Sequence, residues 1–363
     1  MQYDILTEII QTDSVELLEK FLSDPTLSAE EVLKAEAGDT GNTALHYAVE
    51  KENLSCCMKI IDKSRVILGY RNEDGETPIH LMVKNKSLDI CKTCISLASQ
   101  DCLNIPDRKG LTALHIAAAG NSRQILTCLL DSGADAWRTV AENHFTPLHF
   151  AANTGSSECV KCLLSHIKDE TKKIEYSNLK TKNGETALII AAKHGAHGCC
   201  TELVGGANSS RCAAVVDVVD NTGLSALHFA AEHGSLSVLK YLVEAKAKKP
   251  ENLMEIVIKK NFVECLQFLL QEPELKKIRN NKIPSQQNDT LLHLSIRAGN
   301  YQITQLLLDH GCKNTIRNDN EEYPFHLVAQ QPCLNSRYLE EERLKVCNNV
   351  LKGTHRHIAK ATK

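Results

Sequence analysis

Aromatic residues are scarce, 4% of the 363 residues with a single tryptophan, Trp137. So little aromatic material argues against a β-sandwich and for aliphatic helix packing. Neither sign of charge is in excess: 42 Lys and Arg against 45 Asp and Glu leave −3, too weak a field to recruit nucleic acid. No apolar run approaches the roughly 18 residues of a membrane-spanning helix, so no span is expected within this chain. The opening MQYDILTEIIQTD lacks the basic start and apolar segment of a secretory signal. A cytoplasmic location, with the 15 cysteines as thiols, is therefore expected. G-x-S-x-G, H-E-x-x-H, phosphate-loop and dinucleotide fingerprints are all missing, so no enzyme activity, catalytic residue or cofactor is expected.

What is present is repetition. TALHYAV starts at Thr43, TPIHLMV at Thr77, TALHIAA at Thr112 and TPLHFAA at Thr146. TALIIAA at Thr186, SALHFAA at Ser225 and TLLHLSI at Thr290 continue the series. Offsets 17 and 18 from each anchor carry an apolar pair, from Ile60-Ile61 to Leu307-Leu308. Weaker copies start at Asp4, at Asn252, which has Glu255 in place of the histidine, and at Tyr323.

Each motif position has a physical reason. The anchor Thr or Ser caps a helix, and Pro78, Pro147 and Pro324 suit the first helical position, where no donor is needed. Nine residues on, Gly155, Gly195, Gly234 and Gly299, or Asn121 and Asn261, fit a left-handed helix end. Glycines two residues before the anchor, such as Gly75 and Gly184, suit a tight turn, and the paired alanines after the histidine keep the first helix slim.

These residues resemble the ankyrin-repeat superfamily over roughly residues 1–335. The resemblance implies an all-α fold: an α-solenoid of about ten helix-turn-helix repeats with β-turn fingers and a concave face. The expected divisions are a capping repeat and linker over 1–42, regular repeats over 43–251, divergent repeats over 252–335, and a helix with a basic tail over 336–363. A weaker similarity, carried by NLMEIVIKKNFVECLQFLLQEPELKK from Asn252, links the chain to the cytosolic arrays of ankyrin-class transient receptor potential channels, their divergent insect members included.

Cys91-x-x-Cys94 and Cys159-x-x-Cys162 have metal-ligand spacing, but ten cysteines fall at second-helix offsets that elsewhere hold Ile or Val. They are expected to be core thiols, with no metal site. Cys212, beside Arg211, is the redox candidate. The repeated histidines, His46, His80, His115, His149, His228, His293 and His326, are expected to tie neighbouring turns together rather than act as bases.

Two connections, Ser165–Glu185 and Gly205–Leu224, are long and read as extended fingers or loops; the step into Asn252 leaves too little chain for a finger. The chain thus reads as a scaffold for protein partners. Its expected contacts are finger residues Arg108, Lys109, Glu142, Asn143, Lys182, Asn183, Asn221 and Thr222, with first-helix ends Asn153, Thr154, Lys193, His194, Glu232 and His233. No aromatic hot spot stands out in the sequence.

Overall fold

A computed structural model describes residues 2–24, 40–205, 215–330 and 348–350. Among them the fold is all-α: no strand forms, and Ile283 and Asp289 make an isolated antiparallel bridge. The chain divides into two compact units, Met1–Gly223 and Leu224–Lys363. Cys212, Cys333, Cys347 and all but residues 348–350 of the helix and basic tail expected over 336–363 lie outside the described residues.

Unit 1 is a row of helical hairpins. The first helices are α1 (Gln2–Gln11), α3 (Ala44–Glu50), α5 (Pro78–Asn85), α8 (Ala113–Ala119), α10 (Pro147–Asn153) and α13 (Ala187–Lys193). Their second helices are α2 (Val15–Leu22), α4 (Leu54–Lys63), α6 (Leu88–Ile95), α9 (Arg123–Asp131), α11 (Ser157–His166) and α14 (His197–Val204). First helix packs on first helix and second on second, giving two layers. A hairpin this short cannot bury its own apolar face, so each is stabilised by its neighbours. Leu114, Leu126, Leu129, Leu148, Leu163 and Leu203 are accordingly fully buried.

The first helices start where the motif places them. Thr43, Thr77, Thr112 and Thr146 are extended N-cap residues, each in a reciprocal box with the histidine three residues on. At the far end of α10, Gly155 takes φ of +70°, and Asn121 takes the same left-handed region at +53° after α8.

Two short helices, α7 (Gln100–Leu103) and α12 (Glu170–Ser177), interrupt the pattern. The connection read as an extended finger or loop before Thr186 thus holds a helix. Asp169 caps it, accepting from the Thr171 and Lys172 amides, and Tyr176 anchors it. The Tyr176 side chain is wholly buried, donates its hydroxyl to the Ala136 carbonyl at 2.9 Å and packs against Trp137.

Unit 2 uses the same two layers. Its first helices are α15 (Ala226–Glu232), α17 (Leu253–Lys259), α20 (Leu291–Arg297) and α22 (Pro324–Gln330). The second are α16 (Leu236–Glu244), α18 (Val263–Leu269) and α21 (Tyr301–Asp309), with the short α19 (Pro273–Ile278) inserted after α18. Only residues 245–252 join α16 to α17, and they form no finger.

Candidate interaction surface

The histidines act as ties. In hairpins anchored at Thr43, Thr77, Thr112 and Thr146 the anchor amide donates to the histidine Nδ1 at 3.1 Å, and the anchor hydroxyl lies 2.8 Å from the same atom. Nδ1 is thereby an acceptor, which leaves the proton on Nε2. Nε2 then donates into the next connection: His46 to the Glu76 carbonyl, His80 to Leu111, His115 to Arg138 and His149 to Leu179, all at 3.0–3.1 Å. In unit 2 His293 does the same to Glu322. Burial drives His46, His115 and His149 down to about 4 against the pull of those carbonyls, and lowers His80 and His293 as well. Neutral, fully bonded imidazoles are structural, as the sequence implies.

Fingers are also linked directly. Glu73 donates its amide to the Thr40 carbonyl, Arg108 to Asp74, Lys182 to Asn143 and Asn221 to Asn183, at 3.0–3.1 Å. Several expected contact residues therefore spend their backbones on the ladder while their side chains face solvent. Glu142, Lys182, Asn183 and Thr222 are exposed, as is Lys109, and Asn143 is half-buried with Oδ1 accepting from the Phe145 amide. The Arg108 guanidinium pairs with Glu73 at 2.8 Å, the Asn221 side chain donates to the Lys182 carbonyl, and the Thr222 hydroxyl donates to Asp220.

At the first-helix ends, Asn153, Thr154, His194 and His233 are exposed. Thr154 and His233 each bond back to the carbonyl one turn earlier, Phe150 and Phe229 respectively. Lys193 pairs with Glu185, and Glu232 with Lys260 at 3.2 Å.

The Lys193–Glu185 pair belongs to a series the sequence reading missed. The residue before the anchor reaches the residue seven after it: Asn42 to Glu50, Glu76 to Lys84, Glu185 to Lys193, and in unit 2 Asp289 to Arg297. These bridges put finger base and helix end on one face. In two adjacent hairpins the bridge is missing because the positions hold Leu111 with Ala119 and Phe145 with Asn153. There the face opens on apolar side chains: Leu111, Ile116, Phe145 and Phe150 are all half-buried. Phe145 and Phe150 meet edge-on, 5.4 Å between centroids, and Phe150 stands edge-on to His115 at 5.6 Å. An apolar window thus sits in unit 1 between two polar bridges. The pattern of offsets minus one and plus seven was its available signal.

The register cysteines belong to the core. Cys56, Cys57, Cys91, Cys94, Cys159, Cys199, Cys200 and Cys265 are buried, and Cys128 and Cys162 half-buried. Burial pushes five of the buried thiols up, Cys94 and Cys159 to about 11 and Cys91, Cys199 and Cys200 to about 12, so these five stay protonated and unreactive. Among the described residues no His, Cys, Asp and Glu side chains gather into a metal-binding group, and no helix is long and apolar enough to cross a membrane.

Comparison with known proteins agrees with the geometry. A family model described as ankyrin repeats, three copies, matches successive stretches that together run from residue 6 to residue 336. Among similar curated proteins, the human transient receptor potential cation channel subfamily A member 1 is 32% identical over 120 residues, covering 33% of this chain and 10% of that one. The mouse B-cell lymphoma 3 protein homolog is 29% identical over 227 residues, 61% of this chain and 48% of that one. The chain thus spans half or less of these relatives. The solved human ASB11 ankyrin repeat domain aligns with 65% of this chain and 98% of its own at 21% identity, with a TM-score of 0.47.

Proposed function

The chain belongs to the ankyrin-repeat family, and from that premise we propose that it is a non-enzymatic scaffold that holds a protein partner on the finger and first-helix face of unit 1. The observation that carries this reading is the apolar window of Leu111, Ile116, Phe145 and Phe150, framed by the Glu76–Lys84 and Glu185–Lys193 bridges. A small apolar centre inside a polar rim is how binding energy concentrates at protein interfaces. Lys109, Glu142, Asn153, Thr154, Lys182 and His194 form the rim, exposed and ready to set partner and register. Arg108, Asn143, Asn183, Lys193, Asn221 and Thr222 hold the frame and contribute at its edge, while Glu232 and His233 stand on the first-helix end of α15 in unit 2. Fixed fingers lower the entropy lost on association. Protonated core thiols suit a reducing cytoplasm.

The test compares the chain with a Phe145→Ser/Phe150→Ala variant and with a charge-reversed Lys109→Glu/Glu142→Lys/Lys182→Glu variant as baits, at matched circular dichroism. Both should lose the same captured proteins. Equal capture by a folded window variant rejects the reading.

A second reading has one observation behind it, the 32% identity with the channel over 120 residues. Under it the array serves the assembly or gating of a cation channel. A transcript that continues into several apolar spans after Lys363 supports this reading, and one that stops there rejects it.

A further inference from the structure

The first hairpin has an ordinary inner side and an unusual outer one. Leu6, Ile10, Leu18 and Leu22 are buried, with α1 packed on α3 and α2 on α4. The outer side carries Ile5 and Ile9 on α1, and Leu17 and Phe21 on α2, each pair one turn apart. Ile5 is 42% and Leu17 51% exposed, and Ile9 and Phe21 are half-buried. A hairpin face that meets water in a repeat stack is ordinarily polar. Here the face is that of an interior hairpin. In the later hairpins of unit 1 the same offsets hold side chains such as Cys56 with Ile60 and Ile125 with Leu129, all buried because the preceding hairpin covers them.

The polar border follows the same rule. Inside unit 1, Lys59 of α4 pairs with Glu19 of α2, and Arg123 of α9 with Glu158 of α11 at 2.8 Å. Offsets 12 and 16, where Glu158 and Lys59 stand, are thus where adjoining second helices exchange charge. In the first hairpin those offsets are Glu16 and Lys20, both exposed and without an ion pair among the described residues. The face has every component of a hairpin interface: an apolar stripe on both helices and an acid and a base beside it.

We infer that this face joins two copies of the chain about a two-fold axis, stripe against stripe, with Glu16 facing the partner subunit's Lys20 and Lys20 facing the partner subunit's Glu16. A second copy fits because the border is self-complementary. An acid and a base one turn apart on one helix satisfy their own images under a two-fold, whereas a border of one sign would repel itself.

Sedimentation equilibrium of the full chain, across ~1–100 µM, reads the association directly. The wild-type chain is expected to form dimers. Leu17→Glu, at a half-exposed position, should keep its circular dichroism and weaken dimerisation about 30-fold, the loss usual for a central anchor. Glu16→Lys alone and Lys20→Glu alone should each weaken it, and the double exchange Glu16→Lys/Lys20→Glu should restore it. A wild-type chain that stays monomeric overturns the inference. So does a dimer indifferent to Leu17→Glu, or one the double exchange fails to restore, which would place the contact elsewhere or make it head-to-tail.

Discussion

The hairpin α10–α11 of unit 1 and the hairpin α17–α18 of unit 2 have the same helical framework on different supports. The first begins with Thr146 in a box with His149, and His149 reaches on to Leu179 in the next connection. The second begins with Asn252, whose side chain makes no capping bond, and has Glu255 at the histidine position, turned back to Lys259 at 2.6 Å. Both hairpins nevertheless bury their aliphatic faces completely: Leu148 and Leu163 in one, Leu253, Val257, Leu266 and Leu269 in the other. The helices are therefore products of apolar periodicity and neighbour packing, which both have. The Thr–His signature serves the connections instead: before Asn252 both it and the finger are missing, whereas Thr186 keeps its finger with Ile189 at the histidine position.

Acid should break the comparison most strongly. Protonating a buried imidazole that already accepts at Nδ1 removes that bond and puts a charge in the core. With folded values near 4 for His46, His115 and His149 against an unfolded 6.5, the unfolded chain takes up protons first. Stability is thus full above about pH 6.5 and falls as pH drops toward 4, by roughly 3 kcal/mol for each of these residues at the acid end. All three lie in unit 1, so amide hydrogen exchange at pH 7 and pH 4.5 should show the amides of α8 and α10 losing more protection than those of α17. Equal losses in the two units would mean the ties are not what acid attacks.

Core truncation should ignore the difference. Leu163 and Leu269 are both fully buried at the same motif offset. Leu163→Ala and Leu269→Ala should each cost ~2–5 kcal/mol in chemical denaturation, through lost transfer energy and a cavity. A cost below about 0.5 kcal/mol for either, the range of surface changes, would show that residue outside the core.

How much of this was legible in the sequence depends on how far apart the cooperating residues stand. Thr146 and His149 are three apart, and Leu163 and Leu164 recur at fixed offsets, so caps, core and core thiols could be read directly. The apolar window could not, because it needs Phe145 and Phe150 of one hairpin beside Leu111 and Ile116 of the preceding one, and the bridges of both absent together. The α12 helix was hidden for another reason. ETKKIEYS is mostly polar, and its one deep anchor, Tyr176, is set by the Ala136 carbonyl 40 residues earlier. Only the register before Asn252 warned that a finger was lost.

The smallest effect separates the two roles of the signature most cleanly. His149→Ala strips the half-buried Leu179 carbonyl and the buried Thr146 cap amide of their partner and should cost about 1–3 kcal/mol, the price of leaving such groups unsatisfied. Writing the signature into unit 2, as Asn252→Thr with Glu255→His, supplies a cap and a box but adds no finger. Once residue 252 turns from its ψ of 4° to the extended 167° of Thr146, the Thr hydroxyl accepts from the third amide of α17 and the imidazole takes the anchor amide, as in α10. On the far side, the Asp289 carbonyl, at the position equivalent to Glu76 and Leu111, accepts from Ile283 at 2.8 Å, as Glu76 and Leu111 accept from Asn72 and Asp107 while also taking a histidine, so it keeps a lone pair for the new imidazole. Unless the imidazole reaches that carbonyl, the graft should gain only the local increment of a capping box, about 0.5–1 kcal/mol in chemical denaturation, less what the Glu255–Lys259 pair contributes. A gain above about 2 kcal/mol would exceed what a cap supplies. It would mean the new imidazole had bonded the Asp289 carbonyl in the next connection, as His46 bonds Glu76.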